Sequence, residues 1–330
     1  MHMADALLSP AVGGAMYAAS AAAAAYSVKK VKEDFNARKV PVMGVMGAFV
    51  FAAQMLNFTI PGTGSSGHFC GGMLLAALLG PYAAFLTMIA ILLIQCLLFA
   101  DGGILALGCN IWNMAFYACF FGYFCIYKPF MKNGMSKGKL VAACIIGSIL
   151  SLQLGAFSVV LETTASGITE LPFGVFAAAM QPIHLAIGTV EGLITAAVLV
   201  FIYQTRPELL NAEASENKFS LKKLLIILGV VVIIMGGALS LVASSNPDGL
   251  EWSIGNVTGA DELESDGGVH DALANVQDKT AVLPDYSFGN DNAAGTSFSG
   301  IVGSGLVAGL CVLLSVIFGV YKKKKKAKTE

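Results

Sequence analysis

The first two residues, Met1 and His2, form a chelating group through their covalent geometry. The α-amine of Met1, the amide nitrogen of His2 and the ring Nδ1 of His2 can close fused chelate rings on one metal ion. These nitrogens lie nearly in a plane and leave one in-plane position. An all-nitrogen, planar ligand set suits Ni²⁺ or Cu²⁺, and Co²⁺ can adapt to it. The amide must lose its proton, so we expect binding to strengthen as the pH rises.

A second imidazole has to supply the fourth nitrogen. The chain has only four histidines, His2, His68, His184 and His270. His68 ends a loop rich in glycine and serine, 62–68, and we predict that it is the fourth ligand. Cys70 follows closely and is a weaker candidate. A histidine at position 2 is often accidental, so the prediction depends on whether the fold brings Met1 and His68 together.

The composition is that of an all-α polytopic membrane protein. Of the 330 residues, 56% are hydrophobic and 12% are charged, whereas soluble domains carry about 25% charged residues. Apolar runs near the length that spans a bilayer as a helix recur along the chain. The seven cysteines form no CxxC pair and indicate no disulfide framework. The predicted spans are 10–28, 41–59, 71–80 with 81–100, 103–127, 139–161, 172–204, 222–244 and 300–321.

The basic residues orient these spans, because loops rich in Lys and Arg stay in the cytoplasm. All Lys and Arg residues except Lys279 fall in four regions, 29–39, 128–139, 206–223 and 322–328. If these regions are cytoplasmic, the C-terminus is cytoplasmic and the N-terminus is outside, in the same compartment as the loop with His68. The start of the chain lacks the basic region of a cleavable signal peptide, so we expect Met1 to remain in place.

The stretch 71–100 decides the number of passes. A single span there would place the lysines of 128–139 outside. Gly80-Pro81 interrupts the run, because proline ends a helix and biases the residue before it away from helical geometry. We therefore predict two short helices in a tight hairpin. This gives about nine transmembrane passes, or seven passes plus a re-entrant hairpin whose bend is buried or faces water.

A shift in composition divides the chain. We predict a membrane domain with the metal site at 1–210, a cytoplasmic linker at 211–221 and a two-helix module at 222–330. The outside segment of that module, 245–299, carries ten acidic residues and one lysine. It is either a solvated loop or a flap whose negative charge raises the local concentration of cations.

Polar residues inside membrane spans are costly and often functional. Asn110 and Asn113 share one helix face, and His184 and Glu191 share another. Interhelical hydrogen bonds would explain the asparagines and His184. Glu191 needs a partner or a proton, and it could pair with His184, support a metal-bound imidazole or face water. Together with Asp5, these residues are candidates for supporting the metal ligands or for coupling.

Several enzyme motifs are missing from the sequence. It contains no GxxxxGK(S/T) phosphate loop, no HExxH helix and no GxSxG elbow. No basic groove indicates binding of nucleic acid. The chain therefore has no phosphate-loop route to ATP hydrolysis.

Several stretches together resemble the cobalt/nickel substrate-specific component of energy-coupling-factor ABC transporters, the CbiM/NikM group. These stretches are 1–10 (MHMADALLSP), Gly67-His68, 98–103 (LFADGG), 108–114 (GCNIWNM) and 184–196 (HLAIGTVEGLITA). The C-terminal module resembles the small CbiN/NikN partner through 247–252 (PDGLEW) and 285–288 (DYSF). The chain is thus similar to a fusion of the two over nearly its whole length.

The resemblance implies that Co²⁺ or Ni²⁺ is the transported substrate, bound outside by the Met1 amine, the amide and ring nitrogens of His2, and His68. It implies a transport subunit without an ATPase motif of its own, and not an enzyme, and it implies no cofactor. It further implies a CbiQ/NikQ-like transmembrane coupling subunit and CbiO/NikO-like cytoplasmic ATPases as partners, in the lipid of a bacterial or archaeal plasma membrane. The family often has glycine where Ala6 stands. No ligand role comes from the resemblance to His184 or Glu191.

Two other hypotheses stay open at this point. One is a membrane metalloenzyme that uses His68, His184 and Glu191 around a metal, although His184 lies about three turns into its span. The other is a metal-sensing receptor without flux. Co²⁺ and Ni²⁺ are both open as substrates, and so is contact of His270 with the metal.

Overall fold

The computed structural model describes residues 1–33, 39–210, 219–260, 263, 267–289 and 293–326, without the side chains of 293 and 320–326. Most of the predicted linker, 211–218, lies outside the described residues. So do three of the basic residues used for orientation, Arg38, Lys218 and Lys328. The same holds for five of the ten acidic residues, Asp261, Glu262, Glu264, Asp266 and Asp291.

The described chain is almost entirely helical, with one short hairpin of strands. In order, its elements are α1 (Pro10–Glu33), α2 (Val40–Gln54), β1 (Phe58–Ile60), β2 (Ser65–Gly67), α3 (Gly72–Leu79), α4 (Pro81–Phe99), α5 (Leu107–Met131), α6 (Lys137–Ser166), α7 (Phe173–Thr205), α8 (Leu221–Gly237), α9 (Gly249–Thr258), α10 (Val269–Thr280) and α11 (Ala293–Lys326). Single 3₁₀ turns lie at Asp5–Leu7, Pro207–Leu210, Leu239–Val242 and Pro284–Tyr286.

Five helices of the described chain are long and apolar enough to cross a membrane, namely α4, α5, α6, α7 and the part of α11 at Ala294–Gly319. This agrees with the predicted all-α membrane protein. Each predicted span contains a helix, but the helix predicted at 41–59 ends early, at Gln54. The chain leaves the helix there because β1 pairs antiparallel with β2, an element that the sequence analysis did not predict.

The two helices predicted at 71–100 are α3 and α4, which pack against each other. Gly80, with a φ of 85°, ends α3, and Pro81 begins α4. The eight residues of α3 are too few to span a bilayer. The buried stretch 68–71 leads from the hairpin into this half-length helix, so the chain enters the bundle partly as extended backbone.

The two-helix module at 222–330, the second module, packs through its two long helices on the domain at 1–210, the first module. Both α8 and α11 lie against α2 and against each other. Their backbones approach closely, since a Cβ on Gly300 would lie 2.2 Å from the carbonyl oxygen of Gly236. Gly303 allows α11 to pack on Phe51 of α2 in the same way. Small residues at such contacts are typical of membrane helices.

The described part of the segment 245–299 is not wholly a solvated loop, which was one of its two interpretations, although α10 has no buried residue. Its described part contains α9 and α10, and α9 packs on α7. Leu250 and Ile254 of α9 are buried in this contact. The segment therefore covers one end of the first module, where the N-terminus and the β1–β2 hairpin also lie.

Candidate metal centre

The N-terminal residues lie inside the fold. Met1 is 4% exposed and Met3 is fully buried. Asn110 of α5 holds both backbone groups of Met3: its Oδ1 accepts from the Met3 N–H at 2.8 Å, and its amide donates to the Met3 carbonyl at 3.2 Å. Asp5 accepts from the backbone N–H of Ala106 at 2.9 Å. These contacts set the course of the backbone that carries the α-amine.

The segment around His68 is held by α7. A Cβ on Gly67 would lie 2.5 Å from the side chain of Ile187, so glycine is needed for β2 to approach this helix. After His68, the backbone N–H groups of Cys70 and Gly71 each donate to the Glu191 carboxylate at 3.1 Å. Glu191 therefore satisfies backbone donors at the start of α3, where helix N–H groups have no partner within the helix.

The two segments meet at the Met1 amine and the His68 ring. The amine nitrogen lies 2.9 Å from Nε2 of His68. Two nitrogen ligands at right angles around one metal, with bonds of about 2.0–2.1 Å, are about 2.9 Å apart. The pair therefore has the spacing of neighbouring ligands.

The His2 ring is stacked on the His68 ring, with ring centres 5.2 Å apart. Its Nδ1 lies 3.0 Å from Oδ1 of Asp101, and its Nε2 lies 3.2 Å from Oε1 of Gln95. Although burial raises the pKa of the Asp101 carboxyl, the facing His2 and a hydrogen bond from Tyr286 bring that pKa down to about 2. Nδ1 of His2, which the sequence analysis predicts to bind the same metal as the Met1 amine, thus faces the Asp101 carboxylate in this structure.

The Met1 amine, His2 and His68 form a cluster with Asp248 of the second module. The sequence analysis did not single out Asp248. Its Oδ2 accepts from the Met1 amine and lies 3.7 Å from Nε2 of His68. Burial opposes ionisation, but the adjacent ammonium holds the pKa of the Asp248 carboxyl well below its usual range. The available signal was an Asp followed three residues later by Glu251, which is typical of a helix N-terminus.

His184 lies beneath this cluster. Its ring is 1% exposed, and Nδ1 lies 2.7 Å from the carbonyl oxygen of Met180. Within the described chain, Nε2 has no hydrogen-bond partner. His184 lines a cavity of about 10 Å³ together with Met1, His68 and Asp248. A space of this size holds about one water molecule.

Asn113 leads to a second buried carboxylate. Its amide donates to Glu162 of α6 at 2.7 Å and lies 3.6 Å from the sulfur of Met3. Glu162 is 6% exposed. The sequence analysis missed it, because it falls one residue beyond the predicted span 139–161. A carboxylate at the end of a long apolar run was the signal.

The cluster opens into a cavity of about 610 Å³ between the two modules. The acidic residues that line it are Asp5, Asp101, Asp248, Glu251, Asp271 and Asp285. His270 also lines the cavity, and its Nε2 lies 2.9 Å from the carbonyl oxygen of Leu8. His270 therefore links the two modules.

Side chains alone do not form a metal site here. Among the residues that the structure describes, no group of three or more His, Cys, Asp or Glu could hold a metal ion. His68, His184 and Glu191 accordingly do not form the centre that a metalloenzyme would need. The Cys70 thiol donates to the carbonyl oxygen of Met114 at 3.4 Å. A metal at this place would depend on the amine and backbone nitrogen of the N-terminus.

The fold and the site define a helical membrane protein whose buried N-terminus lies beside two histidines. Residues 2–209 match the model of the family described as "Cobalt uptake substrate-specific transmembrane region", CbiM, and residues 222–319 match the PDGLE domain. The chain belongs to the CbiM family and carries a PDGLE domain after the CbiM region. The resemblance inferred from the sequence is thereby confirmed.

Relatives and solved structures agree with this assignment. A NikMN protein of Archaeoglobus fulgidus is 36% identical over 313 residues, which are 94% of this chain and 96% of that protein. The fused nickel transport protein NikMN of Rhodobacter capsulatus is 29% identical over 287 residues, covering 81% of this chain and 78% of that protein. The crystal structure of a transition metal transporter, 34% identical, superposes with a TM-score of 0.55 and covers 62% of this chain and 93% of that one.

Proposed function

We propose that the chain is the substrate-binding membrane subunit of an ATP-driven energy-coupling-factor importer for Co²⁺ or Ni²⁺. It captures the metal at the outer face through the Met1 amine, His2 and His68. The observation that carries the proposal is the 2.9 Å separation of the buried amine from Nε2 of His68. The description of the family as cobalt uptake and the nickel transport of the Rhodobacter relative support the class of metal.

The ligands are the amine of Met1, the amide nitrogen and Nδ1 of His2, and Nε2 of His68. For Nδ1 to reach the metal, the His2 ring turns about its Cβ–Cγ bond. Nδ1 then leaves Asp101 and binds the metal. Asp101 and Gln95 then remain near enough to accept the proton of Nε2 and to orient the ring.

The site lies at the outside end of nine passes, formed by α1, α2, the stretch 58–79 with α3, α4 to α8, and α11. Support comes from a cavity at the opposite end of α4, where Lys30, Lys39 and Lys128 gather around Gly80 and Pro81. Because basic residues favour the cytoplasm, that end is inside. A CbiQ/NikQ-like coupling subunit and CbiO/NikO-like ATPases act from that side and supply ATP hydrolysis in a bacterial or archaeal plasma membrane.

The domain boundaries at 210 and 222 separate two parts of the chain with different tasks in metal capture. The first module holds the nitrogen ligands, and the second covers them from outside. The acidic cavity between the modules is the entry path, because its carboxylates raise the local concentration of divalent cations.

Metal binding by the purified chain with its N-terminus starting at Met1 tests the proposal. A variant with three extra residues before Met1 places the terminal amine too far along the chain to close a chelate ring with His2, and a variant with three extra residues after Glu330 is the matched control. We expect one Ni²⁺ or Co²⁺ per chain in the native and control proteins and none in the N-terminal variant. Equal binding in all three would overturn the proposed chelate. Uptake that requires co-expressed ATPases would exclude a receptor without flux.

A further inference from the structure

The second module contributes a side chain to the metal site. We propose that Oδ2 of Asp248 is a fifth, axial ligand of the bound Ni²⁺ or Co²⁺, so that the metal is held between the two modules. This inference rests on the proposed function, which supplies the four nitrogen ligands. The proposed oxygen ligand comes from the segment 245–299, which supplies none of the four nitrogens.

The position of Oδ2 is the first argument. It contacts the Met1 amine and lies 3.7 Å from Nε2 of His68, so it is next to two of the nitrogen ligands at once. Neighbouring ligands around one metal are about 3 Å apart when the bonds are close to 2.1 Å. A small shift of this one oxygen therefore brings it into the coordination sphere.

The two oxygens of Asp248 have separate tasks. Oδ1 accepts from the backbone N–H groups of Leu250 and Glu251 at 2.7 and 3.0 Å, and the Glu251 carboxylate accepts from the Asp248 N–H at 2.8 Å. This capping box uses Oδ1 to begin α9. Oδ2 is left to face the amine and the His68 ring. The helix cap thus fixes the carboxylate without occupying the oxygen that would bind the metal.

Contacts on both sides of Asp248 fix its position over the site. The carbonyl of Pro247 accepts from the backbone N–H of Ser66 at 2.8 Å, two residues before His68. On the other side, a Cβ on Gly249 would lie 2.9 Å from the side chain of Ile187 and 3.0 Å from the His184 ring. The indole of Trp252 donates to the carbonyl of Thr63 at 2.9 Å. The segment 247–252 is therefore docked on the hairpin that carries His68.

Charge gives an independent reason for a carboxylate ligand. Asp248 is buried with Met1 and His68, and an uncompensated divalent ion in such a place is costly. The deprotonated amide of His2 supplies one negative charge to the coordination sphere. The Asp248 carboxylate supplies the second, which balances a divalent ion. An axial oxygen would also make the metal five-coordinate.

The test uses the full-length chain starting at Met1, titrated with Co²⁺ and Ni²⁺. Asp248→Asn keeps the size and the cap acceptor, and Asp248→Ser keeps a good N-cap but is too short to reach the metal. Asp278→Asn is the matched control, since Asp278 is an exposed aspartate of α10 and is not among the residues that line the cavity. Affinity and the visible absorption of bound Co²⁺, which reports the coordination number, are measured together. Thermal unfolding shows that each variant is folded.

We expect both Asp248 variants to bind about tenfold or more weakly and to change the absorption of bound Co²⁺, while Asp278→Asn changes neither. Folded Asp248 variants with native absorption and with equal or tighter affinity would overturn the ligand role, because the carboxylate would then only pair with the ammonium. Absence of binding in the native chain would instead overturn the proposed function, and the ligand role with it.

Discussion

The two ends of the helical bundle are built in different ways. The metal end holds the Met1 amine, His68 and Asp248, and the lysine end holds Lys30, Lys39 and Lys128. At the metal end, polar contacts join residues that are far apart in sequence: the Met1 amine meets His68 and Asp248, 67 and 247 positions away, and Tyr286 donates to Asp101 at 2.5 Å across 185 positions. At the lysine end, charged side chains find local partners. Lys30 pairs with Glu33, three positions away, and Lys139 donates to the carbonyl of Asn133, six positions away.

This difference assigns different tasks to the two ends. The metal end needs the whole fold, because its proposed ligands come from the N-terminus, a hairpin and a second module. At the lysine end, Lys132 and Lys137 are exposed, and Lys30 and Lys139 pair locally, which suits a surface that meets other subunits. Changes at the metal end should therefore reduce metal affinity, and matched changes at the lysine end should leave it alone.

The largest effect is expected for His68→Ala. Removing one of the nitrogen ligands should weaken Ni²⁺ or Co²⁺ binding by about a hundredfold or more, beyond the effect of losing a group that only orients a ligand. His270→Ala is the control, since His270 faces the carbonyl of Leu8 in the same cavity. Titration calorimetry of both variants measures the difference. Similar losses in both would mean that the cavity as a whole, and not His68, binds the metal.

A smaller loss, about tenfold, is expected for Glu191→Gln. The new amide would turn its N–H₂ group toward one of two backbone N–H donors, which leaves a buried donor without an acceptor. The segment that carries His68 should loosen, so the unfolding temperature should fall with the affinity. Glu170→Gln, an exposed carboxylate in the loop after α6, should change neither. An unaltered Glu191→Gln protein would show that the start of α3 does not position His68.

Removing one tyrosine hydroxyl at each end of the bundle compares how much the two ends contribute to metal affinity. Tyr286→Phe removes the hydroxyl that donates to Asp101 and should weaken metal binding a few-fold, because Asp101 orients the His2 ring. Tyr203→Phe removes a hydroxyl that donates to the carbonyl of Met135 at the lysine end, 3.2 Å away. Its affinity should stay that of the native chain. Equal losses would contradict the division between the two ends.

The smallest effect on binding is expected for the double variant Lys132→Gln and Lys137→Gln. Both lysines are exposed at the lysine end, far from the Met1 amine. Metal affinity should be unchanged, whereas ATP-dependent uptake with the partner subunits should fall if this end meets them. Uptake assays on cells and titrations of the purified protein separate the two. A fall in affinity alone would reverse the assignment of the ends.

Much of the architecture could be predicted because the relevant signals are local. Apolar runs and Gly80-Pro81 predict where helices lie and where one ends, since hydrophobic periodicity and the missing N–H of proline act within a few residues. The strand pair at 58–67 escaped prediction, because three-residue strands leave no periodic signal. The helices α9 and α10 were missed because their short helical patterns lie among many polar and acidic residues.

By itself, the sequence determined the helical membrane class, the family and the presence of a chelating group at Met1 and His2. These follow from composition, motifs and covalent geometry, which do not depend on distant residues. Only the tertiary structure decided that Asn110 holds the Met3 backbone, that Glu191 serves the start of α3, and that an oxygen of Asp248 meets the amine. Each of these contacts joins segments that come together through packing, and no local pattern specifies which polar group a buried side chain will face.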